Sequence, residues 1–189
     1  MREEEIIEKV RSAMSEKRFR HTEGCVKMAE ALARRWGADV SLARRAAYLH
    51  DIAKEMPYEE SLELVSGFGL SDIQKSKKII HAFTGAIIAE RDFGECEEVC
   101  DAIRWHTTAK SGMSLLSKII WISDLAEEGR DFPGVSEIRE LAFSDLRKAL
   151  ILGFDTTLSF LKEKGSEIDT NMIEARDFEI AAGKGNINE

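Results

Sequence analysis

Asp39-Val40-Ser41-Leu42-Ala43-Arg44-Arg45-Ala46-Ala47-Tyr48-Leu49-His50-Asp51 is the stretch on which the fold of this chain turns. Asp39 is a capping residue, since its carboxylate can accept from the first unpaired N–H groups of a helix. Ala43, Ala46 and Ala47 then recur at the three- and four-residue spacing of a helix that buries one face. That helix carries Tyr48 into His50 and Asp51. Leu49 and Ile52 bracket the pair with apolar residues, so both are expected to point inward. An ionised carboxylate in apolar surroundings is costly unless it is paired. The rest of the sequence has to supply its partners.

The same helical spacing recurs to either side. Alanine occurs 20 times and valine 6, and no run alternates with the period of two that a strand requires, so the chain reads as all-α. Ile6, Ile7, Val10, Ala13 and Met14 share one face of a first helix. A second is expected from Thr22 to Trp36, stopped by Gly37, and a fourth starts at Pro57 and ends near Gly67-Phe68-Gly69. Further helices are expected over 77–93, 95–107, 114–127, 136–143, 145–164 and 171–181, with 183–189 frayed. The most conspicuous loop is 128–134, with two glycines and a proline. The expected organisation is one domain over 1–189 of eight to ten helices, a core of about 15–130 followed by C-terminal helices over about 135–182.

Composition narrows the function. No apolar run approaches the ~18 to 20 residues of a membrane span, and Met1-Arg2-Glu3-Glu4-Glu5 has no signal-peptide core. Cys25, Cys96 and Cys100 are too few and scattered for a disulfide framework, which points to the cytoplasm. The net charge of −8 argues against general nucleic-acid binding and against a membrane partner, while leaving room for a local basic pocket.

Only four histidines exist, and each is on or at the end of a different expected helix. Their settings are Arg18-Phe19-Arg20-His21-Thr22, Leu49-His50-Asp51-Ile52-Ala53-Lys54, His81-Ala82-Phe83-Thr84-Gly85 and Trp105-His106-Thr107-Thr108. Asp124 ends the apolar run Ile119-Ile120-Trp121-Ile122-Ser123. A single helical histidine is usually a surface or hydrogen-bonded core residue, and an acid after an apolar turn usually faces water. Inward acids and four histidines nevertheless answer each other most economically through metal ions. Imidazole with carboxylate suits Fe, Mn, Co, Ni or Zn, and an aspartate next to a histidine can bridge two ions.

The ordered set His21, His50-Asp51, His81, His106 and Asp124 resembles the HD superfamily of metal-dependent phosphohydrolases, which are all-α. The flanking residues of His21, His50 and His106, with Asp131-Phe132-Pro133-Gly134-Val135, resemble its YqeK-like branch, bacterial enzymes that hydrolyse diadenosine tetraphosphate symmetrically. The likeness spans about residues 15 to 180. That branch would have a tyrosine directly after the last aspartate, where this chain has Leu125, which bears on the shape of the neighbouring pocket.

The resemblance implies that His21, His50, Asp51 and Asp124 hold one metal and that Asp51 bridges to a second, completed by His81 and His106. Two divalent or mixed-valence transition-metal ions are implied, iron first, with Mn, Co, Ni or Zn compatible. Two ions ~3.5 to 4 Å apart can hold a bridging water, lower its pKa and neutralise the attacked phosphate. The bridging hydroxide would then yield two ADP without a protein nucleophile, and no nucleophile elbow or Walker lysine is present.

Arg18, one helical turn before His21, and Lys54, a turn after His50, can reach phosphates beside the metals and are assigned catalytic roles with Asp51. Lys110 and Arg130, in expected loops, could close over nucleotide, and Thr107 and Thr108 could bond phosphate oxygens. The plainer alternatives are solvated charges and a capped helix end. Cys96 and Cys100, four residues apart, read as packing residues. Two further functions fit the same residues: another HD nucleotide phosphohydrolase (a nucleotidase or deoxynucleoside triphosphate triphosphohydrolase), or a nucleotide-sensing HD module without turnover. A purely structural bundle would leave every histidine unexplained. A nucleotide is the expected ligand, and a homodimer is compatible with the sequence.

Overall fold

Four of the helices start directly behind a side chain that caps them. Ser15 accepts from the Arg18 N–H, Asp39 from Ser41 and Leu42, Ser114 from Ser117 and Asp145 from Lys148, each satisfying a backbone donor that the helix cannot. Gly37 ends one helix in the left-handed conformation at φ 75°. In a computed structural model that describes residues 2–185, the chain forms α1 (Glu3–Ser12), α2 (Glu16–Trp36), α3 (Val40–Leu49), α4 (Tyr58–Leu64) and α5 (Ile80–Phe93). It continues with α6 (Glu97–Arg104), α7 (Leu115–Ala126), α8 (Val135–Ser144), α9 (Leu146–Glu163) and α10 (Thr170–Gly185). The described residues contain no strand.

Several boundaries depart from the sequence reading, among them the end of α4, which falls at Leu64 rather than near Gly67. α2 begins at Glu16 rather than Thr22, because the Ser15 cap acts before the Arg18-to-His21 segment. α5 begins at Ile80 rather than 77, the residues before it being turns. α6 stops at Arg104, so His106 follows a helix end. At the C-terminus α10 continues to Gly185, which corrects the expectation of fraying over 183–185; residues 186–189 lie outside the described residues.

α2 lies against α3 and α7, α6 contacts α3, α5 and α7, and α9 packs on α7, α8 and α10. α7 buries Leu116, Ile119, Ile120, Trp121, Ile122 and Ala126, the all-round apolar character of an enclosed helix. The main core takes Phe19 and Leu32 from α2, Leu49 from α3, Ile103 from α6 and Phe154 from α9. A smaller cluster of Val65, Ile80 and Phe83 fixes α4 on α5. This packing brings the middle of α2, the ends of α3, α6 and α7, and the first turn of α5 to one place.

Candidate metal centre

His50 and His106 are built alike. Each follows the last residues of a helix, and each Nδ1–H donates to the carbonyl three residues back, Ala47 and Ile103 respectively, both at 2.7 Å. A carbonyl can only accept, so Nδ1 carries the proton and Nε2 presents its lone pair to the cluster. His81 lies in the first turn of α5 and Asp124 in the last turn of α7. His21 projects from α2 with Nε2 3.0 Å from Asp124 Oδ1, while its Nδ1 lies 3.1 Å from Glu127 Oε1.

Asp51 is the centre of the arrangement. Its Oδ2 faces His50 Nε2 at 3.5 Å and His21 Nε2 at 4.0 Å, and its Oδ1 faces His81 Nε2 at 3.3 Å and His106 Nε2 at 3.7 Å. One carboxylate thus divides its two oxygens between two histidine pairs. All six residues that the sequence singled out as ligands are within this cluster. The donor atoms of His21, Cys25, His50 and Asp124 lie within 4.8 Å of one another, as do those of His50, Asp51 and His106. His50 Nε2 is buried and has no hydrogen-bond partner, an arrangement that costs free energy unless a cation takes the lone pair. The donor set and the orphaned nitrogen fit a divalent metal.

Protonation at two of the rings favours the same use. Burial drives the His81 pKa down to about 4 against the pull of Asp51, and burial lowers that of His50, so both rings are neutral, the form that a metal ligand needs. Burial would raise the carboxyl of Asp51, but His50, His106 and His81 outweigh it and hold it well below the usual range. Burial also opposes the charge on His21, yet its hydrogen bonds to the carboxylates of Asp124 and Glu127 prevail and its pKa is raised.

Three cations close the cluster. Arg18 Nη1 is 2.8 Å from Asp51 Oδ2, Arg130 Nη2 is 2.6 Å from Asp124 Oδ1, and Lys54 Nζ is 3.1 Å from His81 Nε2. Arg130 thereby sits on the acid itself, where the sequence placed it in an open loop. Thr107 Oγ1 is 3.2 Å from His106 Nε2. Two other expected substrate contacts are directed elsewhere. Thr108 is buried and donates to the Ala109 carbonyl, and Lys110 pairs with Asp101 at 2.7 Å with its ammonium over the Trp105 ring. Neither lines the neighbouring cavity. Cys100 is buried, as a packing residue would be, whereas Cys96 is exposed ahead of α6.

A cavity of about 760 Å³ opens beside the cluster. His106, Thr107, Asp124 and Arg130 form its metal-side wall, Trp121, Leu125, Phe132 and Pro133 an apolar wall, and α9 the outer one with Thr156, Thr157 and Phe160. Leu125, the departure noted in the sequence, therefore shapes this cavity directly. The sequence reading missed the α9 wall, Cys25 and Glu127. Cys25 is one turn beyond His21, and Glu127 is three residues beyond Asp124; those spacings were the available signals.

The fold and the donor set define a helical metal-dependent hydrolase. The HD domain family matches residues 18–146, and the chain belongs to that family. It is 38% identical over 89% of its length to a symmetrical bis(5'-nucleosyl)-tetraphosphatase of Bacillus subtilis, covering 92% of that protein. A protein of the same description from Halalkalibacterium halodurans is 38% identical, with 86% of this chain and 88% of the relative covered. A crystal structure of an HD superfamily hydrolase from Clostridium acetobutylicum, described as involved in NAD metabolism, superposes with a TM-score of 0.92 at 38% identity over 96% of this chain and 98% of that one. Among the described residues no helix is long and apolar enough to cross a membrane.

Proposed function

We propose that the protein hydrolyses dinucleoside tetraphosphates symmetrically, converting diadenosine tetraphosphate into two ADP, with two transition-metal ions at the histidine–aspartate cluster. The observation that carries the reading is the division of the Asp51 oxygens between the His21/His50 pair and the His81/His106 pair. The symmetrical tetraphosphatases at 38% identity support the substrate. Iron is the first candidate by resemblance to the family, and the imidazole–carboxylate set also suits Mn, Co, Ni or Zn. When bound, such ions supply Lewis-acid charge to the phosphate and an activated water.

His21, His50, Asp51 and Asp124 would hold one ion, with His81 and His106 joining Asp51 at the other. Arg18 and Arg130 neutralise Asp51 and Asp124; with ions held at the two carboxylates, both guanidinium forks would be available to phosphate oxygens. Lys54, its pKa lowered mainly by burial, faces the His81 side and supplies a further phosphate contact there. Thr107 donates beside His106. The apolar wall of the cavity suits a nucleoside, and Leu125 in place of a tyrosine widens that wall. In this reading residues 15–130 form the hydrolytic core of one HD domain, and the helices over 135–182 close the nucleotide cavity. Thr108 and Lys110 are left with structural roles. The net charge of −8 favours a small anionic substrate in a local ring of cations over nucleic acid, and three free cysteines suit the cytoplasm.

Chromatography of a reaction with diadenosine tetraphosphate tests the proposal. ADP as the sole nucleotide product is expected. ATP and AMP in equal amounts would show attack one phosphate away from the centre. An intact dinucleotide beside rapid hydrolysis of a mononucleotide would move the protein to another HD activity.

A further inference from the structure

Cys25 has no part in the ligand set that the histidine–aspartate pattern implies, yet it stands inside the cluster. It lies one helical turn after His21 on α2 and is 1% exposed, with Sγ 3.4 Å from His21 Nε2. Two adjacent donors on one ion, with metal–nitrogen and metal–sulfur bonds of about 2.0 and 2.3 Å, stand about 3.0 to 3.5 Å apart as the angle between them opens from about 90° to 110°. The sulfur is therefore already within the separation that a shared ion allows. The fully buried His50 Nε2, which has no hydrogen-bond partner, belongs to the same group of four donors, together with Asp124. Among the described residues no comparable sulfur stands on the other side, where the donors are His81, His106 and the second oxygen of Asp51.

We propose that Cys25 is a further ligand of the metal position formed by His21, His50, Asp51 and Asp124, so that this position carries a soft sulfur donor, while the His81/His106 position has nitrogen and oxygen donors only. The inference rests on the metal-centre reading given above. On coordination the Sγ–H bond breaks, its proton passes to solvent, and the thiolate forms the bond to the ion. No change of oxidation state is involved. The two positions then differ in kind: one thiolate among imidazole and carboxylate on the α2 side, and a harder set on the α5 side.

Cobalt(II), which reports sulfur ligation through an intense near-ultraviolet thiolate-to-metal charge-transfer band, is the probe. Metal-stripped protein is titrated to two equivalents, with bound cobalt measured by elemental analysis. The wild type and the Cys96→Ser variant, which lacks the exposed thiol, are expected to develop the band; Cys25→Ser is expected to bind cobalt without it. Because Cys25→Ser could fail to fold, a Cys96→Ser/Cys100→Ala variant provides the second arm, and it must keep the band with Cys25 as its only thiol. Wild type that binds cobalt without the band overturns the ligand role of Cys25 and leaves the metal centre standing. Persistence of the band in Cys25→Ser, or its loss from the sole-thiol variant, overturns it equally. Wild type that binds no cobalt at all sinks both the inference and the metal-centre reading.

Discussion

The two halves of the histidine–aspartate cluster are oriented by different means. On the α5 and α6 side, His106 is fixed by the carbonyl of Ile103 three residues before it. On the α2 side, His21 is fixed by Glu127, 106 residues away in sequence, whose other oxygen accepts from the Gly129 N–H at 2.6 Å. His50 borrows the first device, through Ala47. A carbonyl at a helix end is available whatever side chains surround it, whereas a carboxylate partner depends on one particular residue. The His106 side should therefore tolerate changes around it, and the His21 side should respond to substitutions at residues that are not ligands.

Asp51 joins the halves, so its loss produces the largest effect. Asp51→Ala should empty or weaken both proposed metal positions and reduce turnover by at least about a thousandfold, since ions held there would supply both the activated water and the charge on the phosphate. Metal analysis should fall toward zero per chain while circular dichroism stays helical, because the core is apolar and independent of the site. Retention of one tightly bound ion would break the picture of a shared bridge.

Lys54→Ala acts on the other half alone. The ammonium faces His81, and a charge-assisted phosphate contact is worth about 1.5 to 3 kcal/mol. Turnover should drop about tenfold or more, with metal content unchanged. Loss of metal from this variant would show instead that Lys54 supports His81 structurally.

The contrast between the halves also marks what was legible in the sequence. The six donor residues could be found because each histidine carries a local setting and because Asp51 and Asp124 follow apolar turns, where a carboxylate needs partners. The all-α architecture was equally plain, from helical spacing and from caps such as Asp39. Glu127 was not legible: in Ala126-Glu127-Glu128-Gly129 it looks like one more solvated acid, and only the packing of α2 on α7 carries it to His21. Cys25 was hidden for the same reason, as a helical position whose neighbours come from elsewhere. The cavity wall from α9 gave no signal, because Thr156 and Thr157 read as a polar helix face until Phe132 and Trp121 are placed opposite. Lys110 failed in the reverse sense: its proximity in sequence to His106 suggested phosphate, while Asp101, one helix back, takes the charge.

Glu127→Ala tests the distal brace. Removing the carboxylate that orients a metal-binding histidine costs roughly 10- to 100-fold in metal affinity, and here the loss should fall on the His21 position only. Calorimetric titration should resolve two classes of site, the one that belongs to the His21 position shifted and the other unmoved. Glu127→Gln should restore part of the affinity, since its amide oxygen can still accept from the ring. Equal weakening of both classes would mean that Glu127 serves the fold and not this half of the site.

The smallest effect is expected at Gly24, where two influences oppose each other. As a residue within α2, it should be improved by alanine, because glycine in a helix is less stable by about 0.5 to 1 kcal/mol. A methyl group there would, however, collide with Glu127 Oε2 and stand 3.0 Å from its carboxyl carbon. The carboxylate cannot retreat freely, since Gly129 holds the same oxygen. Displacing it should loosen His21 without removing its partner, so Gly24→Ala is expected to lower metal affinity at that position by a few-fold, less than Glu127→Ala does. Thermal stability of the metal-free protein should change little, as propensity and crowding offset one another. In the double variant Gly24→Ala/Glu127→Ala the clash is gone and only the helical benefit remains, so stability should rise above that of Glu127→Ala while metal affinity matches it. If Gly24→Ala weakens metal binding by the same factor in both backgrounds, the glycine acts on His21 by a route other than Glu127, and the long-range brace does not explain this half of the centre.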